Sequence, residues 1–220
     1  MLSYTEENYL KALLKISQDN KTNGVGTNEL ATVLSVKPAT ANDMLKKLKE
    51  KKLVDYKKYG KIFLTALGKK KAIYVLRKHR LWETFLYEKL NFTWDEVHEV
   101  AEQLEHIQSE KLIEALDKFL GYPEYDPHGD PIPNINGELK EQTKIKLSDV
   151  PIGSTCKMVG VKDTSKTFLQ YIAKVGLCVN DEITVVSKQD YDAIMVIEKQ
   201  GVKLTVSEKF TNNIFVICNR

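Results

Sequence analysis

Two short helical segments joined by a tight turn constrain the fold of this 220-residue chain more than any other feature. The first segment is predicted to be capped by Thr27 and to end at Leu34, and the second begins at Pro38 and continues to about Lys51. Proline suits the first position of a helix because its missing N–H would have no partner there. Ser35-Val36-Lys37 forms the turn between the segments. This pattern predicts a helix-turn-helix.

The flanking segments extend this motif. Before it, Leu10, Leu13 and Leu14 recur at helical spacing after Thr5, the predicted cap of a first helix. After it, LVDYKKYGKIFLT consists of two short alternating runs around Tyr59-Gly60, a pattern typical of a β-hairpin. Residues 1–72 are therefore predicted to form a winged helix-turn-helix DNA-binding domain.

The second helix of such a motif enters the DNA major groove, with its N-terminal residues nearest the bases. Asn42 is suited to reading adenine, and the methyl groups of Ala39 or Thr40 are suited to contacting thymine. Lysines would position the domain on phosphates without specifying sequence. For Asn42 and Asp43, an ordinary place on the helix surface remains open. The candidate DNA contacts are Thr27, Lys37, Pro38, Ala39, Thr40, Asn42, Asp43, Lys47, Lys58 and Lys61.

Charge is distributed unevenly along the chain. Residues 1–78 carry a net charge of +10, residues 79–138 a net −10, and residues 139–220 a net +3. A basic block favours a phosphate backbone as partner, because Lys and Arg release condensed counterions when they meet it. The acidic block contains all four histidines and favours bound cations. The alternative for the basic block is a set of merely solvated lysine-rich helix faces.

The remaining chain consists of two segments that differ in predicted secondary structure. Residues 73–138 read as helices, with a capping box at Thr93-Trp94-Asp95-Glu96 and an apolar stripe that suits both a core and a dimer interface. From about Leu139, short β-rich runs around a helical insert at 165–175 predict a small SH3-like β-barrel. The predicted fold class is mainly α with a β domain. The predicted domains are 1–72, a helical metal-binding and dimerisation domain at 73–138, and the SH3-like domain at 139–220.

Histidines and carboxylates in the acidic block have the spacing of metal ligands. His79 and Glu83 are one helical turn apart, as are His98 and Glu102. Glu102, Glu105 and His106 share one face of the next helix, and Asp126 and His128 lie in a proline-rich loop. Any single pair of this kind is typical of a surface ion pair. Three such groupings between residues 79 and 106 together favour a divalent transition ion. A set rich in oxygen and free of thiolate favours Mn²⁺ or Fe²⁺ over structural Zn²⁺.

Three runs carry a resemblance to a known family: LRKHRLWETFL, VHEVAEQLEHIQSEKL and GYPEYDPHGDPIP. In this order they resemble the diphtheria toxin repressor and manganese transport regulator family, and the likeness covers nearly the whole chain. The resemblance implies a metal-dependent repressor that binds palindromic operators of metal-uptake genes as a homodimer. It also implies that the C-terminal domain is similar to the ferrous transport A fold. The implied cofactor is Mn²⁺ or Fe²⁺, with Zn²⁺, Co²⁺ or Cd²⁺ able to bind in vitro.

The resemblance further implies two metal sites. One would use His79, Glu83 and His98, completed by Asp163, with Gln170 as the other candidate. The second would use Glu102, Glu105 and His106, with Asn8 from the first helix and Asp126 from the loop. Glu102 and Asp126 stand where other members carry Cys, which makes the site harder and more manganese-like. Asn8 stands where others carry Asp or Met, and its neutral amide is a weaker ligand for a hard cation.

Other expectations follow from what the sequence lacks. No apolar run approaches the ~18 residues of a membrane span, and no signal peptide is visible, so a cytoplasmic protein with no membrane partner is expected. Three distant cysteines, expected to be buried packing residues, suit a reducing compartment. Two alternatives stay open. One is a winged-helix regulator with structural metals and another effector. The other is a metal-dependent hydrolase, although no H-E-x-x-H, P-loop or nucleophile-elbow pattern occurs.

Overall fold

A computed structural model describes residues 2–19, 24–56, 60–140, 142–189 and 191–218. Packing divides the chain into two compact units. Unit 1 comprises Met1–His79, Glu102–Ile113 and Pro133–Glu138, and unit 2 comprises Arg80–Ala101, Glu114–Ile132 and Leu139–Arg220. The units are discontinuous in sequence, and the three-segment division at 72 and 138 stays a prediction.

Unit 1 contains the winged helix-turn-helix. Its elements are α1 (Tyr4–Asp19), α2 (Thr27–Val33), α3 (Pro38–Glu50), β1 (Val54–Tyr56), β2 (Ile62–Leu64) and the start of α4 (Ala66–Leu90). The strands β1 and β2 pair antiparallel, with Val54 opposite Leu64. Leu10, Leu30 and Leu45, one from each of the first three helices, are fully buried in the core of this unit. The predicted fold of the segment is confirmed.

Two helix starts differ from the sequence prediction by one or two residues. The cap of α1 is Ser3 rather than Thr5: the Ser3 N–H donates to Glu6 Oε2 at 2.9 Å, and the Glu6 N–H donates to Ser3 Oγ at 3.3 Å. This reciprocal arrangement is a capping box. Gly26 precedes α2, so Thr27 is its first residue rather than its cap. Pro38 occupies the first turn of α3, as predicted.

Two further helices follow α4: α5 (Val97–Leu104) and α6 (Glu110–Phe119). Before α5, the Thr93 N–H donates to Glu96 Oε2 at 2.9 Å, which is half of the predicted capping box. At the start of α6, the Leu112 N–H donates to Ser109 Oγ at 3.3 Å.

Unit 2 contains a six-stranded antiparallel sheet in the order β3-β8-β4-β5-β6-β7. Its hydrophobic core includes Met158, Ile172 and Val216, all fully buried. The sheet with its helical insert confirms the SH3-like expectation. The elements are β3 (Ile145–Lys146), β4 (Thr155–Val161), α7 (Lys166–Val175), β5 (Glu182–Lys188), β6 (Met195–Lys199), β7 (Val202–Val206), α8 (Glu208–Thr211) and β8 (Ile214–Cys218).

The cysteines of this sheet domain are all free thiols. Cys156 is buried and Cys218 is half-buried, but Cys178 is exposed, so the expectation of a packing role was wrong for Cys178. Burial raises the pKa of the Cys156 thiol to about 12. Among the helices in the described ranges, none combines the length and apolar character needed to cross a membrane.

Candidate metal centre and nucleic-acid interface

A first cluster of metal-binding side chains lies in unit 1. His79 of α4 and Glu102 and Glu105 of α5 or its C-terminal turn each offer one ligand atom, and these atoms lie within 4.8 Å of one another. The carboxyl group of Glu105 is fully buried. Because Glu102 and Glu105 are three residues apart, the helix places both on one face. Two carboxylates and an imidazole at this separation suit a divalent cation.

His106 is oriented toward this cluster by a residue of α1. Its Nδ1 lies 2.6 Å from Glu7 Oε2, and Gln108 Nε2 donates to Glu7 Oε1 at 2.8 Å. A carboxylate oxygen only accepts, so Nδ1 carries the proton and Nε2 is left with a lone pair. That Nε2 lies 3.9 Å from Glu105 Oε1. Tyr4 stacks on the imidazole with ring centroids 4.6 Å apart, which fixes the ring plane further.

His79 has the same kind of orientation. Its Nδ1 lies 2.6 Å from Glu105 Oε2, so in the neutral imidazole Nδ1 donates and Nε2 is the nitrogen that carries the lone pair. Imidazoles that ligate metals almost always donate their other N–H to a carboxylate or carbonyl. Both histidines of unit 1 therefore have the tautomer that metal binding needs.

Asn8 supplies the test of whether these residues fit a metal. Its Oδ1 is buried and has no hydrogen-bond partner among the described residues. A buried polar atom without a partner costs free energy, which a ligand would recover. An amide oxygen, two carboxylates and an imidazole nitrogen form a donor set of the kind that Mn²⁺ and Fe²⁺ accept. The residues fit a divalent ion.

Two lysines offset the negative charge of the cluster. Lys11 Nζ of α1 lies 2.8 Å from Glu102 and 2.7 Å from Glu105. Lys78 is fully buried, with its Nζ 3.8 Å from Glu7 Oε1. Burial lowers the pKa of Lys78, while the carboxylates of Glu7 and Glu105 act in the opposite direction.

A second cluster lies in unit 2. Glu83 of α4 and Asp126 and His128 of the proline-rich loop are all buried, and their ligand atoms lie within 4.8 Å of one another. His128 Nε2 lies 3.1 Å from the backbone oxygen of Trp94, which only accepts. Nε2 therefore carries the proton, and Nδ1 faces Glu83 Oε2 at 4.0 Å with a free lone pair.

Backbone contacts hold the loop of this second cluster in place. Asp126 Oδ1 accepts from the N–H groups of His128 at 2.9 Å and Asp130 at 3.0 Å. The Val161 N–H of β4 donates to the His128 oxygen at 3.0 Å. Gly129 has φ +84°, and a Cβ there would lie 1.9 Å from the Val159 oxygen. The glycine of the Pro-His-Gly motif is thus required by the close approach of the loop to β4.

Burial raises the pKa of Asp126 well above its usual range, and the carboxylates of Asp130 and Glu83 raise it further. Arg80 acts in the opposite direction from 3.5 Å. The guanidinium also lies 3.5 Å from Asp130 and donates to the Pro131 oxygen. The buried side chains of Glu83, Asp126 and His128 thus lie near one arginine, and a bound cation would add positive charge to this cluster.

His98 and the C-terminal candidates have other partners. His98 Nδ1 lies 3.2 Å from Glu83 Oε1, so these two residues are together as the sequence predicted. Asp163 Oδ1 instead accepts from the Ser165 N–H at 2.8 Å, before α7. Gln170 Nε2 donates to Asp95 Oδ2 at 2.8 Å. Among the described residues, Asp163 belongs to none of the groups of three or more His, Cys, Asp or Glu ligand atoms that lie close together.

The grouping thus differs in part from the predicted sets. Asp126, expected with Glu102, Glu105 and His106, lies with Glu83 and His128 in unit 2. Sequence reasoning placed His128 among the candidate metal-binding side chains but in neither ligand set, and it assigned no role to Glu7 or Lys11. His128 was identifiable as the fourth histidine of the acidic block, whereas the places of Glu7 and Lys11 depend on which helix packs beside α5. The assignment of ligands stays a prediction.

The predicted DNA contacts lie in unit 1, mostly on the surface. Thr27 and Asn42 are half-buried, and Lys58 lies outside the described residues. Asn42 Oδ1 accepts from the Tyr56 hydroxyl at 2.5 Å, which anchors the α3 side chain to the hairpin. Asp43 pairs with Lys46 at 2.9 Å on the same exposed helix face. The exposed candidates are Lys37, Pro38, Ala39, Thr40, Asp43, Lys47 and Lys61.

Three family models match successive parts of the chain. Residues 1–62 match the iron dependent repressor N-terminal DNA binding domain. Residues 65–134 match the iron dependent repressor metal binding and dimerisation domain. Residues 145–218 match the FeoA domain.

Individual proteins of this kind are also similar to the chain in sequence and in structure. A manganese-dependent transcriptional repressor solved in complex with manganese is 31% identical, with a TM-score of 0.82 over 97% of this chain and 100% of that one. The repressor ScaR with bound Cd²⁺ is 32% identical, with a TM-score of 0.73 over 96% and 98%. The iron-dependent repressor IdeR of Mycobacterium leprae is 30% identical over 61% of this chain and 64% of its own. The chain spans 16–64% of the length of the first five curated relatives it matches.

Proposed function

Because the chain belongs to the diphtheria toxin repressor and manganese transport regulator family of metal-dependent transcriptional repressors, we propose that it represses metal-uptake genes in response to Mn²⁺ or Fe²⁺. In this proposal it binds palindromic operators as a homodimer. It acts in the cytoplasm, where its operator DNA lies, and it has no enzymatic role.

One observation carries the proposal: α1 belongs both to the winged-helix core and to the unit 1 cluster. Leu10 of α1 is fully buried in the core of the winged domain. Glu7 of the same helix contacts His106, and Lys11 contacts Glu102 and Glu105. Asn8, with its buried Oδ1, follows Glu7 in sequence. Any force applied to the cluster therefore acts directly on the helix that supports the DNA-binding elements.

The mechanism follows from the charges of the cluster. In the metal-free protein Glu102 and Glu105 repel each other, and Lys11 offsets only part of this repulsion. A divalent cation supplies the missing positive charge when bound. Glu102, Glu105 and Asn8 would hold this ion, and the segment 102–106 would then be kept against α1 in one arrangement. If this arrangement binds the operator with a free energy only ~1–3 kcal/mol more favourable than the alternatives do, operator affinity changes about 5–150-fold.

We propose two ligand sets. The set in unit 1 comprises Asn8, Glu102, Glu105 and His106, with His79 beside it. The set in unit 2 comprises Glu83, His98, Asp126 and His128. The predicted participation of His79 and Asp163 with Glu83 and His98 stays open to test. Nitrogen and oxygen donors without thiolate support Mn²⁺ or Fe²⁺ as the physiological ion, and Zn²⁺, Co²⁺ or Cd²⁺ as ions that bind in vitro.

Dimerisation would place two α3 helices in successive major grooves, about 34–36 Å apart. An exposed aromatic patch on unit 2 supports this step. Phe119 is 66% exposed at the end of α6, and its ring lies 6.2 Å from that of Phe85. Leu90 at the end of α4 is also half-exposed. Large apolar side chains clustered on a surface are typical of a protein interface.

Operator binding measured against metal concentration tests the proposal. Chelator-treated protein is titrated under anaerobic conditions with Mn²⁺, Fe²⁺ and Zn²⁺. Fluorescence anisotropy reports binding to genomic DNA from upstream of its own gene and of nearby metal transporter genes. We expect Mn²⁺ or Fe²⁺ to strengthen binding about 5–150-fold. Tight binding that is indifferent to metal would support the alternative of structural metals with another effector.

Glu105→Gln provides the site-specific variant, because it keeps the shape of the side chain and removes the buried charge. We expect this variant to lose the metal response. Glu114→Gln is the matched control, since Glu114 is exposed on α6. A Glu105→Gln protein that responds to metal as wild type does would remove the unit 1 cluster from the mechanism.

A further inference from the structure

Lys11 lies where a cation shared by two ligand carboxylates would lie. Its ammonium is 2.8 Å from Glu102 and 2.7 Å from Glu105, and only 14% of the side chain is exposed. The Glu105 carboxyl group is fully buried. Lys11 thus pairs with both carboxylates at once, whereas the ammonium of the buried Lys78 lies 3.8 Å from Glu7.

A buried carboxylate is tolerated only when a positive group compensates it. In the metal-free protein Lys11 performs this task for the buried Glu105, and it also pairs with Glu102, whose side chain is 44% exposed. A divalent ion that takes both carboxylates must either displace the ammonium or lie beside it. In both cases the ammonium opposes metal binding, through lost ion pairs or through repulsion of like charges.

We propose that Lys11 is the resident cation of the unit 1 cluster: it limits the cluster to one divalent ion and sets the metal concentration at which that ion binds. The inference rests on the proposed function, because it assumes that Glu102 and Glu105 are metal ligands. It adds a residue that tunes the sensor without ligating metal. A purely structural ion pair makes a different prediction, because its removal would lower stability and leave metal affinity unchanged or weaker.

The test compares Lys11→Gln with Lys15→Gln, an exposed lysine one turn further along α1. Bound Mn²⁺ is counted by elemental analysis after equilibrium dialysis, and affinity is measured by competition with a fluorescent chelator. Thermal unfolding of the metal-free proteins gives an independent readout. We expect Lys11→Gln to bind Mn²⁺ about tenfold more tightly or to gain one equivalent, because one charged hydrogen-bonding partner is typically worth that factor.

The metal-free Lys11→Gln protein should also unfold at a lower temperature than wild type, and added Mn²⁺ should remove this difference. Lys15→Gln should match wild type in every measurement. If Lys11→Gln is too unstable without metal, Lys11→Met, which keeps the aliphatic stem, is measured in the same way. Lys11→Arg, which keeps the charge, should retain the wild-type number of ions.

Two kinds of failure are distinguishable. If wild type binds Mn²⁺ in a manner that depends on Glu105, but Lys11→Gln has the same stoichiometry and affinity or binds more weakly, the role of Lys11 is overturned and the proposed function stands. If Glu105→Gln removes no Mn²⁺ from the wild-type count, the unit 1 cluster is not a metal site. This inference then fails, and with it the part of the proposed function that places metal sensing in the unit 1 cluster.

Discussion

In each cluster, one histidine is oriented by a residue that lies outside the proposed ligand sets. Glu7 accepts from His106 Nδ1 at 2.6 Å, and the Trp94 oxygen accepts from His128 Nε2 at 3.1 Å. Each contact selects one tautomer and points the opposite ring nitrogen at a carboxylate. Substitution of such an orienting group typically lowers metal affinity 10–100-fold. The clusters therefore depend on residues that a ligand search by spacing does not find.

This argument gives a prediction for Glu7→Gln. The amide keeps the shape of the side chain but binds the His106 N–H less strongly, because it carries no charge. We expect Mn²⁺ affinity to fall about 10–100-fold, measured by chelator competition. Glu29→Gln, an exposed substitution on α2, is the control. Unchanged affinity in Glu7→Gln would mean that Tyr4 stacking alone orients His106.

Sequence spacing could predict the ligand candidates on one helix but not their partners on another. His79 and Glu83, or Glu102 and Glu105, share a face because of helical periodicity alone. Glu7 and Lys11 meet the cluster only because α1 packs beside the segment that carries Glu105 and His106. That packing is a long-range contact, which no local pattern encodes. The same limit applies to Asp126, which was predicted with Glu102, Glu105 and His106, whereas its ligand atom lies near those of Glu83 and His128.

At the scale of elements, α1 is fixed at its start by a contact with the residue just after α3. Lys51 Nζ lies 2.7 Å from Glu6 Oε1, and Glu6 also closes the capping box with Ser3. Burial acts to raise the pKa of Glu6, but the hydrogen bonds from Lys51 and Ser3 outweigh it, so the pKa lies below its usual value. The contact between Lys51 and Glu6 links the end of α3 to the start of α1, the helix that carries Glu7 and Lys11.

The lowered pKa of Glu6 predicts how stability depends on pH. A carboxyl group whose pKa falls on folding stabilises the native state above its unfolded pKa of about 4.3, and this contribution is lost as pH falls through the folded pKa. We expect Glu6→Gln to cost about 1 kcal/mol at pH 7 and to be nearly neutral in strong acid. Chemical denaturation of the metal-free protein between pH 3 and pH 7 is the measurement. If Glu6→Gln lowers the free energy of unfolding equally at every pH, the effect is due to packing and not to the charge of Glu6.

Most elements were predictable because their periodicity is long enough to read. The helix α7 matches the predicted helical insert at 165–175 closely. The strands β4 and β7 lie in the segment predicted to be β-rich. The strand β3 and the helix α8 were not predicted, because two and four residues are too short to show a period. The cap of α1 was misplaced because Ser3 and Thr5 both suit a cap, and only the contact to Glu6 separates them.

For the whole molecule, opposite charges are segregated between the DNA-binding segment and the metal-binding segment. The net +10 of residues 1–78 attracts operator DNA in any state, whereas the net −10 of residues 79–138 is reduced only by bound cations. Under the proposed function, non-specific attraction would therefore be constant, and metal would change the specific arrangement in addition to it. Under the proposed function, reading of a palindromic operator requires a dimer, and the aromatic surface of unit 2 is the candidate interface.

Phe119→Asp tests that surface. Phe119 is 66% exposed and forms an aromatic row with Phe85 and Trp82, whose rings lie 6.2 Å and 5.8 Å apart in turn. A carboxylate buried in an apolar interface is costly, so we expect dimerisation to weaken by about 2 kcal/mol or more. Light scattering coupled to size exclusion gives the oligomeric state, and anisotropy with a full palindrome and a half-site gives DNA binding.

The expected result is a shift toward monomer together with loss of the preference for the full palindrome, while half-site binding remains. Half-site binding should remain because the winged domain lies in unit 1 and its core does not include Phe119. Tyr191→Asp is the matched control, since Tyr191 is a fully exposed aromatic residue outside this row. A Phe119→Asp protein that stays dimeric and retains its palindrome preference would place the dimer interface on another face of the molecule.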